Sequence, residues 1–250
     1  MWQMASPPYT QQVEISSHKK NLKKPTMVTQ NHYYEEHTKA LVSVDCIIFG
    51  FDNGSLKILL GRRKIDPGRG AWALYGGFVT PTENLDDAAT RVLTELTGIH
   101  DIYMRQVGAY GAIHRDPVSR VISIAYCALI NVKDYDENLR REYNLEWFNI
   151  NELPELFSDH GTIVNDALTL MRSRIKTEPL CFSLLPKMFT LTQLQNVYQA
   201  VMGKELDKRN FRKRAKQSGT IVETGKIDKL TSKRGAMLYT LNTEIEDFRF

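Results

Sequence analysis

GGFVTPTENLDDAATRVLTELTGI, residues 76 to 99, contains the pattern from which the fold of this chain can be inferred. Its glycine pair allows the backbone to approach a ligand or a neighbouring segment closely. Apolar side chains recur at helical spacing after Asn84, and Gly98 is typical of a helix end. The stretch therefore predicts a turn followed by an amphipathic helix over about residues 84–97.

The predicted helix carries three positions, 92, 95 and 96, on one face. An oxygen-seeking cation such as Mg²⁺ would need carboxylates there, together with the phosphates of a substrate. Only Glu95 is acidic, whereas Val92 and Leu96 continue an apolar row with Leu85 and Ala89. We therefore expect no catalytic residue, no metal ion and no cofactor at this helix.

β-rich segments flank this helix on both sides. The runs at 41–49 and 56–60 predict a hairpin, because Asn53-Gly54 lies between them. Strands, one central helix and later helices indicate an α+β domain with a mixed sheet. The further predicted elements are strands within 103–112 and 120–130, a strand from 145 that runs into a short helix at Pro154, and a helix over about 161–176.

The net charge of +4 conceals a separation of charge along the chain. Residues 187–234 contain twelve Lys and Arg against four Asp and Glu, whereas acidic residues exceed basic ones by five over 35–179. A neutral or acidic body next to a basic module is typical of a two-domain protein with a polyanionic partner.

The basic module begins with a helix-turn-helix pattern. Thr190 and Gln193 form a capping box for a helix that runs to about Met202, and Asp207 caps a second helix after a short turn that contains glycine. Two later strands, within IVETG and AMLYTL, are joined by the basic loop KIDKLTSKRG. This hairpin predicts a wing, so the module is expected to be a winged helix.

The second helix of the module carries basic side chains on one face. With Phe211 and Ala215 directed inward, the cations lie on the opposite side, where they can contact base edges and phosphates of a duplex. The alternatives are a solvated basic helix and an RNA-binding module, but the basic hairpin and the lack of aromatic stacking faces favour duplex DNA. The residues predicted to bind DNA are Thr192, Lys208, Arg209, Asn210, Arg212, Lys213, Lys216, Lys229, Lys233 and Arg234.

The stretch around the first helix resembles the Nudix box. In Nudix hydrolases the residue after the box arginine and both members of its glutamate pair bind the catalytic metals, and these positions are Val92, Glu95 and Leu96 here. Because two of the three are apolar, the resemblance implies a Nudix-like fold that is not an enzyme. Residual or full hydrolysis of a nucleoside diphosphate derivative such as ADP-ribose is the alternative, since one or two carboxylates plus phosphates can hold Mg²⁺. The matching box residues are Gly77, Glu83, Arg91, Glu95 and Gly98.

From about Tyr33 onward the chain resembles the Nudix-related transcriptional regulators of the NrtR and AraR type. The likeness is carried by the segments LPKMFTLTQLQNVYQAVMGKELDKRNFRKR, SKRGAMLY and RDPVSRVISIAY. Within this group the chain is most similar to the arabinose-responsive regulators of Bacteroides-like bacteria. The resemblance implies a homodimer that represses sugar-utilisation genes from a palindromic duplex operator. It would release the operator when a small effector, L-arabinose or an ADP-ribose-like molecule, occupies the Nudix pocket.

The former substrate pocket is the expected effector site. Because two carboxylates are missing, an uncharged sugar can be held there by polar groups and an aromatic ring. For Trp72 and Phe78 a place in the core is an equal alternative, and Arg115 with Asp116 can form an ion pair in a turn. We expect Glu83 and Arg91 to form a structural pair. The candidate effector-binding residues are Trp72, Tyr75, Phe78, Arg115 and Asp116.

These patterns divide the chain into four parts. Residues 1–34 are polar and are expected to be a disordered extension, of which translation from Met27 would omit residues 1–26. Residues 35–179 form the expected sensor, 180–243 the winged helix and 244–250 a C-terminal tail. Three scattered cysteines indicate a reducing cytoplasm, and the apolar runs are too short to cross a bilayer.

Overall fold

The strand β1 (Leu41–Asp52) organises the sheet because it pairs along both of its edges. In the computed structural model of the chain, which describes residues 35, 37–100, 102–135, 141–229, 234–244 and 248, β1 pairs antiparallel with β2 (Ser55–Arg62) and β4 (Tyr75–Phe78) on one edge. Its other edge pairs in parallel with β6 (Val121–Asn131). The turn between β1 and β2 places Asn53-Gly54 at φ values of 48° and 79°, as the predicted hairpin requires.

Three further strands complete a mixed seven-stranded sheet, which confirms the expected α+β fold. The predicted short helix at Pro154 is wrong. Leu156 instead forms a β-bridge with Trp72, and the backbone N–H of Phe157 donates to the carbonyl of Trp72 at 2.8 Å. Backbone groups that pair with another strand are not available for helical hydrogen bonds. The added strands are β3 (Trp72–Ala73) and β7 (Leu145–Asn149), both antiparallel to β2, and β5 (Met104–Tyr110), antiparallel to β6.

Each face of the sheet is covered by one long helix. Helix α1 (Leu85–Thr97) packs on the face that contains Val44 and Ile48. Helix α2 (His160–Arg174) packs on the opposite face, which contains Phe49. Successive side chains of a strand point to opposite faces, so β1 supplies both cores at once.

The apolar row predicted on α1 lies inside the core between this helix and the sheet. Val92 and Leu96 expose 1% and 0% of their surface, whereas Glu95 is exposed. The helix begins after Asn84, whose backbone N–H donates to the Asp87 carboxylate at 3.2 Å. It ends at Gly98, which adopts the left-handed conformation with φ 68°.

The C-terminal part of the chain is a winged helix, as predicted. The Thr190 hydroxyl accepts from the backbone N–H of Gln193 at 3.2 Å, and the Asp207 carboxylate accepts from that of Asn210 at 2.8 Å. The Phe211 side chain is buried beneath the second of its helices. The elements are β8 (Phe189–Thr190), α3 (Leu191–Met202), α4 (Lys208–Gln217), β9 (Ile221–Asp228) and β10 (Ala236–Leu241), with the sheet order β8–β10–β9.

Helix α2 also packs on the winged helix. Met171 of α2 and the adjacent Ile175 belong to the same apolar core as Leu194 and Tyr198 of α3. The segment that follows α2 includes a 3-10 turn (Leu180–Leu184) in which four of the five side chains are buried. The described residues from Ala40 onward therefore form one compact unit.

The three cysteines, Cys46, Cys127 and Cys181, are buried and carry no disulfide. Among the helices of the described residues, none combines the length and the apolar character needed to span a membrane. The predicted disordered extension, residues 1–34, and Lys233 of the predicted wing lie outside the described residues.

Leu96→Glu tests whether the box helix can carry the second glutamate of the Nudix pair. The side chain at this position is fully buried among apolar neighbours, so we expect the free energy of unfolding to fall by roughly 4 kcal/mol or more. Urea unfolding followed by circular dichroism measures the change. Thr90→Glu, on the exposed side of the same helix, is the control and should change stability by about 0.5 kcal/mol or less. Equal stability of the two variants would place position 96 within reach of solvent.

Candidate functional site

A cavity of about 430 Å³ opens where β1, β4, the loop after β2 and the start of α2 meet. It lies beside the glycine pair of the box, and an added Cβ on Gly77 would lie 3.1 Å from a methyl group of Val92. The missing side chain of Gly77 therefore also leaves room for Val92 of α1 to pack against the backbone of β4. The polar and aromatic side chains that line the cavity include Asp45, Arg63, Phe78, Arg115, Asp116, Phe157 and His160.

Arg115 is held between two carboxylates at the base of this cavity. Its guanidinium donates to Asp45 at 3.1 Å and to both oxygens of Asp159 at 2.9 and 3.0 Å. Burial would lower the pKa of Arg115, but the hydrogen bond to Asp159 and the charge of Asp45 raise it above the ordinary value. Asp45 also accepts from the Ser123 hydroxyl at 2.6 Å. These groups satisfy one another and hold the loop, β1 and the start of α2 together.

The ion pair between Arg115 and Asp116, the alternative to a role in effector binding, is not formed. The Asp116 carboxylate accepts instead from the backbone N–H groups of Val118 and Ser119, at 2.9 and 3.0 Å. These are local turn bonds, which an aspartate makes readily. Asp116 therefore shapes the rim of the cavity, while Arg115 reaches past it to partners that are distant in sequence.

Two predicted effector residues, Trp72 and Tyr75, are not among the residues that line this cavity. Trp72 is buried edge-to-face against Phe148, with ring centroids 4.7 Å apart, and the guanidinium of Arg62 lies 3.8 Å from its ring. Tyr75 packs edge-to-face on Tyr143 at 5.6 Å. Trp72 belongs to the core beneath α2, and Tyr75 packs against the core beneath α1, so neither ring lines this cavity.

His160 lines the cavity and was missed by the sequence analysis. Its Nδ1 accepts from the backbone N–H of Leu74 at 2.9 Å, and only 6% of the residue is exposed. Burial lowers the pKa of His160, although the charges of Asp45 and Asp159 oppose this effect. A histidine at the first position of a predicted helix gives no signal in sequence for a partner 86 residues away.

The remnant of the box is organised by an ion pair between Glu83 and Arg91, as expected. The carboxylate of Glu83 accepts from Arg91 at 2.8 and 3.0 Å and from the backbone N–H of Thr80 at 2.8 Å. The hydrogen bond from Arg91 is the main reason that the pKa of Glu83 falls to about 2. Glu95 lies 3.7 Å from Arg91. Within the described ranges, no group of three or more His, Cys, Asp or Glu side chains is arranged to hold a metal ion.

A second concave surface, of about 980 Å³, lies between the helix-turn-helix and the wing. One stripe of α4, with Lys208, Arg212 and Lys216, faces it, and Thr192 and Arg234 line its other walls. The guanidinium of Arg212 donates to the Thr192 hydroxyl at 3.1 Å, so this arginine is tied to the start of α3. We call this surface the basic groove.

The other predicted DNA-binding residues occupy different places. Arg209 and Lys213 are exposed on the outer side of α4, and Lys229 is exposed after β9. Asn210 instead lines a small cavity of about 200 Å³ that also contains Ile175 at the end of α2. This placement turns Asn210 toward the sensor side of α4 and removes it from the set that we propose for DNA contact.

Two family models match the chain, one for each part. The NUDIX domain matches residues 39–167, and the NrtR DNA-binding winged helix domain matches residues 181–241. The chain is also 36% identical over 219 residues to the "ADPR responsive transcriptional repressor NtrR" of Acinetobacter baylyi, with 86% of this chain and 87% of that protein covered. The chain belongs to the NrtR-type Nudix regulators.

Further relatives match most of this NrtR-type chain or about half of it. The crystal structure of Shewanella oneidensis NrtR with a 27mer DNA has a TM-score of 0.74 and 27% identity, covering 84% of this chain and 97% of that one. The ADP-ribose pyrophosphatase of Methanocaldococcus jannaschii is 36% identical over 136 residues, covering 53% of this chain and 76% of that protein. These relatives confirm the predicted Nudix-fused winged-helix regulator, and they give no support to a particular likeness to arabinose-responsive regulators.

Substitutions in the winged helix separate base contacts from phosphate contacts. Arg209→Ala removes an exposed guanidinium, so we expect a loss of about 1–3 kcal/mol in binding and a relaxed base preference. Arg234→Ala should weaken binding to all duplexes evenly and reduce the salt slope by about one. Fluorescence anisotropy with a duplex selected by the wild type from a random library, and with a scrambled duplex, measures both effects.

Arg69→Ala, an exposed arginine of the loop after β2, is the matched control for these two variants. It should leave binding to both duplexes unchanged. Wild-type affinity and base preference in the Arg209→Ala variant would show that the outer side of α4 does not contact bases.

Proposed function

We propose that this chain is a homodimeric transcriptional repressor that releases a palindromic operator when ADP-ribose occupies its Nudix cavity. The observation that carries the proposal is the basic groove beside α4, on a winged helix that shares its apolar core with the sensor. In this proposal residues 35–179 sense the effector and residues 180–243 bind DNA. A dimer would place two α4 helices in successive major grooves, which requires a palindromic site.

The cavity favours an ADP-ribose-like effector over L-arabinose. Its volume of about 430 Å³ is in the range of sites for nucleotide-sized ligands and much larger than one pentose fills. Arg63 is fixed on its wall, with its guanidinium 4.0 Å from the Phe157 ring and its Nε donating to the carbonyl of Pro67 at 3.0 Å. Neither Nη atom of Arg63 has a hydrogen-bond partner among the described residues, so both are available to an anionic ligand. The Acinetobacter relative is described as responsive to ADP-ribose, which agrees with this choice.

The same site is proposed to bind the effector without hydrolysing it. Val92 and Leu96 occupy two of the three metal-binding positions of the Nudix box, and both are buried in the core. Glu95, the third, is exposed and lies near Arg91. The likeness to an archaeal ADP-ribose pyrophosphatase favours hydrolysis as the second candidate function. Release of AMP from ADP-ribose in the presence of Mg²⁺, abolished by Glu95→Gln, would support that candidate.

Helix α2 connects the cavity with the winged helix. It begins at His160 in the cavity wall, and its last turns contact α3. There the Nε of Arg172 donates to the carbonyl of Val201 at 2.8 Å, and the Tyr198 hydroxyl lies 3.5 Å from the carbonyl of Ile175. A ligand that shifts the start of this helix can therefore change the position of α3, and with it the spacing of the two α4 helices.

Operator release is tested by titrating the protein into the selected duplex with and without ADP-ribose, at one fixed salt concentration. We expect ADP-ribose to weaken operator affinity by about 5- to 150-fold, which corresponds to a coupling of 1–3 kcal/mol. L-arabinose and ribose 5-phosphate are the comparison ligands and should have no effect. Release by L-arabinose alone would restore the sugar-responsive alternative, and release by neither would reject ligand control by these molecules.

Arg172→Gln tests the path through α2. Removing the hydrogen bond to Val201 should reduce the effect of ADP-ribose on operator affinity by about 2- to 30-fold, while the affinity for ADP-ribose without DNA stays unchanged. Anisotropy and calorimetry measure the two affinities. Arg174→Gln, which affects an exposed arginine of the same helix paired with Glu178, is the control. An unchanged ligand effect in Arg172→Gln would exclude this contact from the path.

A further inference from the structure

His160 is a buried polar side chain with one hydrogen-bonding position fixed and the other unused. Since its Nδ1 accepts the N–H of Leu74, a neutral ring carries its proton on Nε2. The residue is 6% exposed and lines the cavity, and its Nε2 has no hydrogen-bond partner among the described residues. Because the residue lines the cavity and this nitrogen has no protein partner among the described residues, the Nε2–H is available for an acceptor on a ligand.

The surrounding charges select the kind of acceptor. The carboxylates of Asp45 and Asp159 are already occupied by Arg115, and Asp45 also by Ser123. Two further carboxylates line the cavity: Asp116 accepts from two backbone N–H groups, and Asp66 accepts from Arg69. The donors left to face a ligand are the Nε2–H of His160 and the Nη groups of Arg63. Hydrogen bonds from a guanidinium and an imidazole to a phosphate oxygen are charge-assisted and strong.

We propose that His160 and Arg63 together bind a phosphate group of the effector, with His160 donating through Nε2–H. The inference rests on the proposed function and adds to it the residues that recognise the ligand. His160 is also the first residue of α2, so the contact joins the phosphate directly to the helix that packs on the winged helix. The acceptor chemistry is shared by ADP-ribose and inorganic pyrophosphate, and both are used below.

The test compares two substitutions of the same histidine by calorimetric titration of ADP-ribose. In His160→Asn the amide oxygen can still accept from Leu74 at the position of Nδ1, but the side chain is too short to replace Nε2. We expect its affinity for ADP-ribose to fall by about 10- to 100-fold, with operator binding in the absence of ligand unchanged. His160→Gln places an amide N–H near the position of Nε2 and should retain most of the affinity while it loses thermal stability.

Two control variants show whether a loss of affinity is specific to His160 and Arg63. His114→Asn changes an exposed histidine, and Lys64→Gln changes an exposed cation next to Arg63 that does not line the cavity. Both should bind ADP-ribose as the wild type does, whereas Arg63→Gln should bind it at least about 10-fold more weakly. A lowered melting temperature with wild-type affinity in His160→Asn would reduce the residue to a structural role and overturn the proposal.

A pH series provides a second readout. The charged groups that face His160 are Asp45, Asp159, Arg115 and Arg63. Because Nδ1 accepts the N–H of Leu74, a second proton on the ring would break that hydrogen bond, so the neutral ring is the form that binds. Wild-type affinity for ADP-ribose should therefore decrease as the pH falls below the pKa of His160, and His160→Asn should lose this decrease. Equal pH profiles of the two proteins would contradict a phosphate at Nε2.

Failure of the proposed function is distinguishable from failure of this inference. If the wild type does not bind ADP-ribose, the proposed effector is wrong, and inorganic pyrophosphate titrated into the same variants decides the phosphate site. Pyrophosphate binding that is lost in His160→Asn and Arg63→Gln, but kept in both controls, supports the site without ADP-ribose. Absence of pyrophosphate binding to the wild type in that case overturns it.

Discussion

Helix α2 carries its buried side chains into one apolar core that the sheet and the winged helix share. Met171 contacts this core near the sheet, and Ile175 lies where the core continues into α3. Protein interiors are close-packed, so a helix held on both sides cannot shift at one end without moving its neighbours at the other. The orientation of the winged helix therefore depends on how α2 begins, and α2 begins in the wall of the cavity.

The face of the sheet opposite α2 is covered by α1, whose buried side chains are mostly apolar. On α1, Val92 and Leu96 extend the core under β1. The Glu83–Arg91 pair ties the turn before the helix to α1. The turn beside the cavity and the packing of the helix are therefore held by different side chains of the same segment.

One base of the cavity is paired with two of its acids, and two other bases keep free donors. Arg115 takes up the buried Asp45 and the partly buried Asp159, which would otherwise repel an anionic ligand. Arg63 and His160 are left with donors directed at an open space, each fixed in orientation by a bond to the backbone. Preorganised donors of this kind bind a ligand without the entropic cost of ordering side chains.

Elements with local sequence signals were predictable without the structure. The Asn53-Gly54 hairpin, the caps at Thr190 and Asp207, and the inward Phe211 follow from turn, capping and periodicity rules that act within a few residues. The box spacing likewise identified α1, and the charge distribution identified the basic module. Each of these predictions holds in the structure because no tertiary contact opposes it.

The composition of the cavity and the direction of particular side chains follow from long-range contacts. Asp45, Arg115 and Asp159 are brought together by the parallel pairing of β1 with β6 and by the return of the chain to α2, over separations of 70 and 44 residues. Trp72 became a core residue because the edge of β2 paired with its strand, and Asn210 lines a cavity that it shares with Ile175. These outcomes depend on long-range packing, which periodicity and motif spacing do not contain.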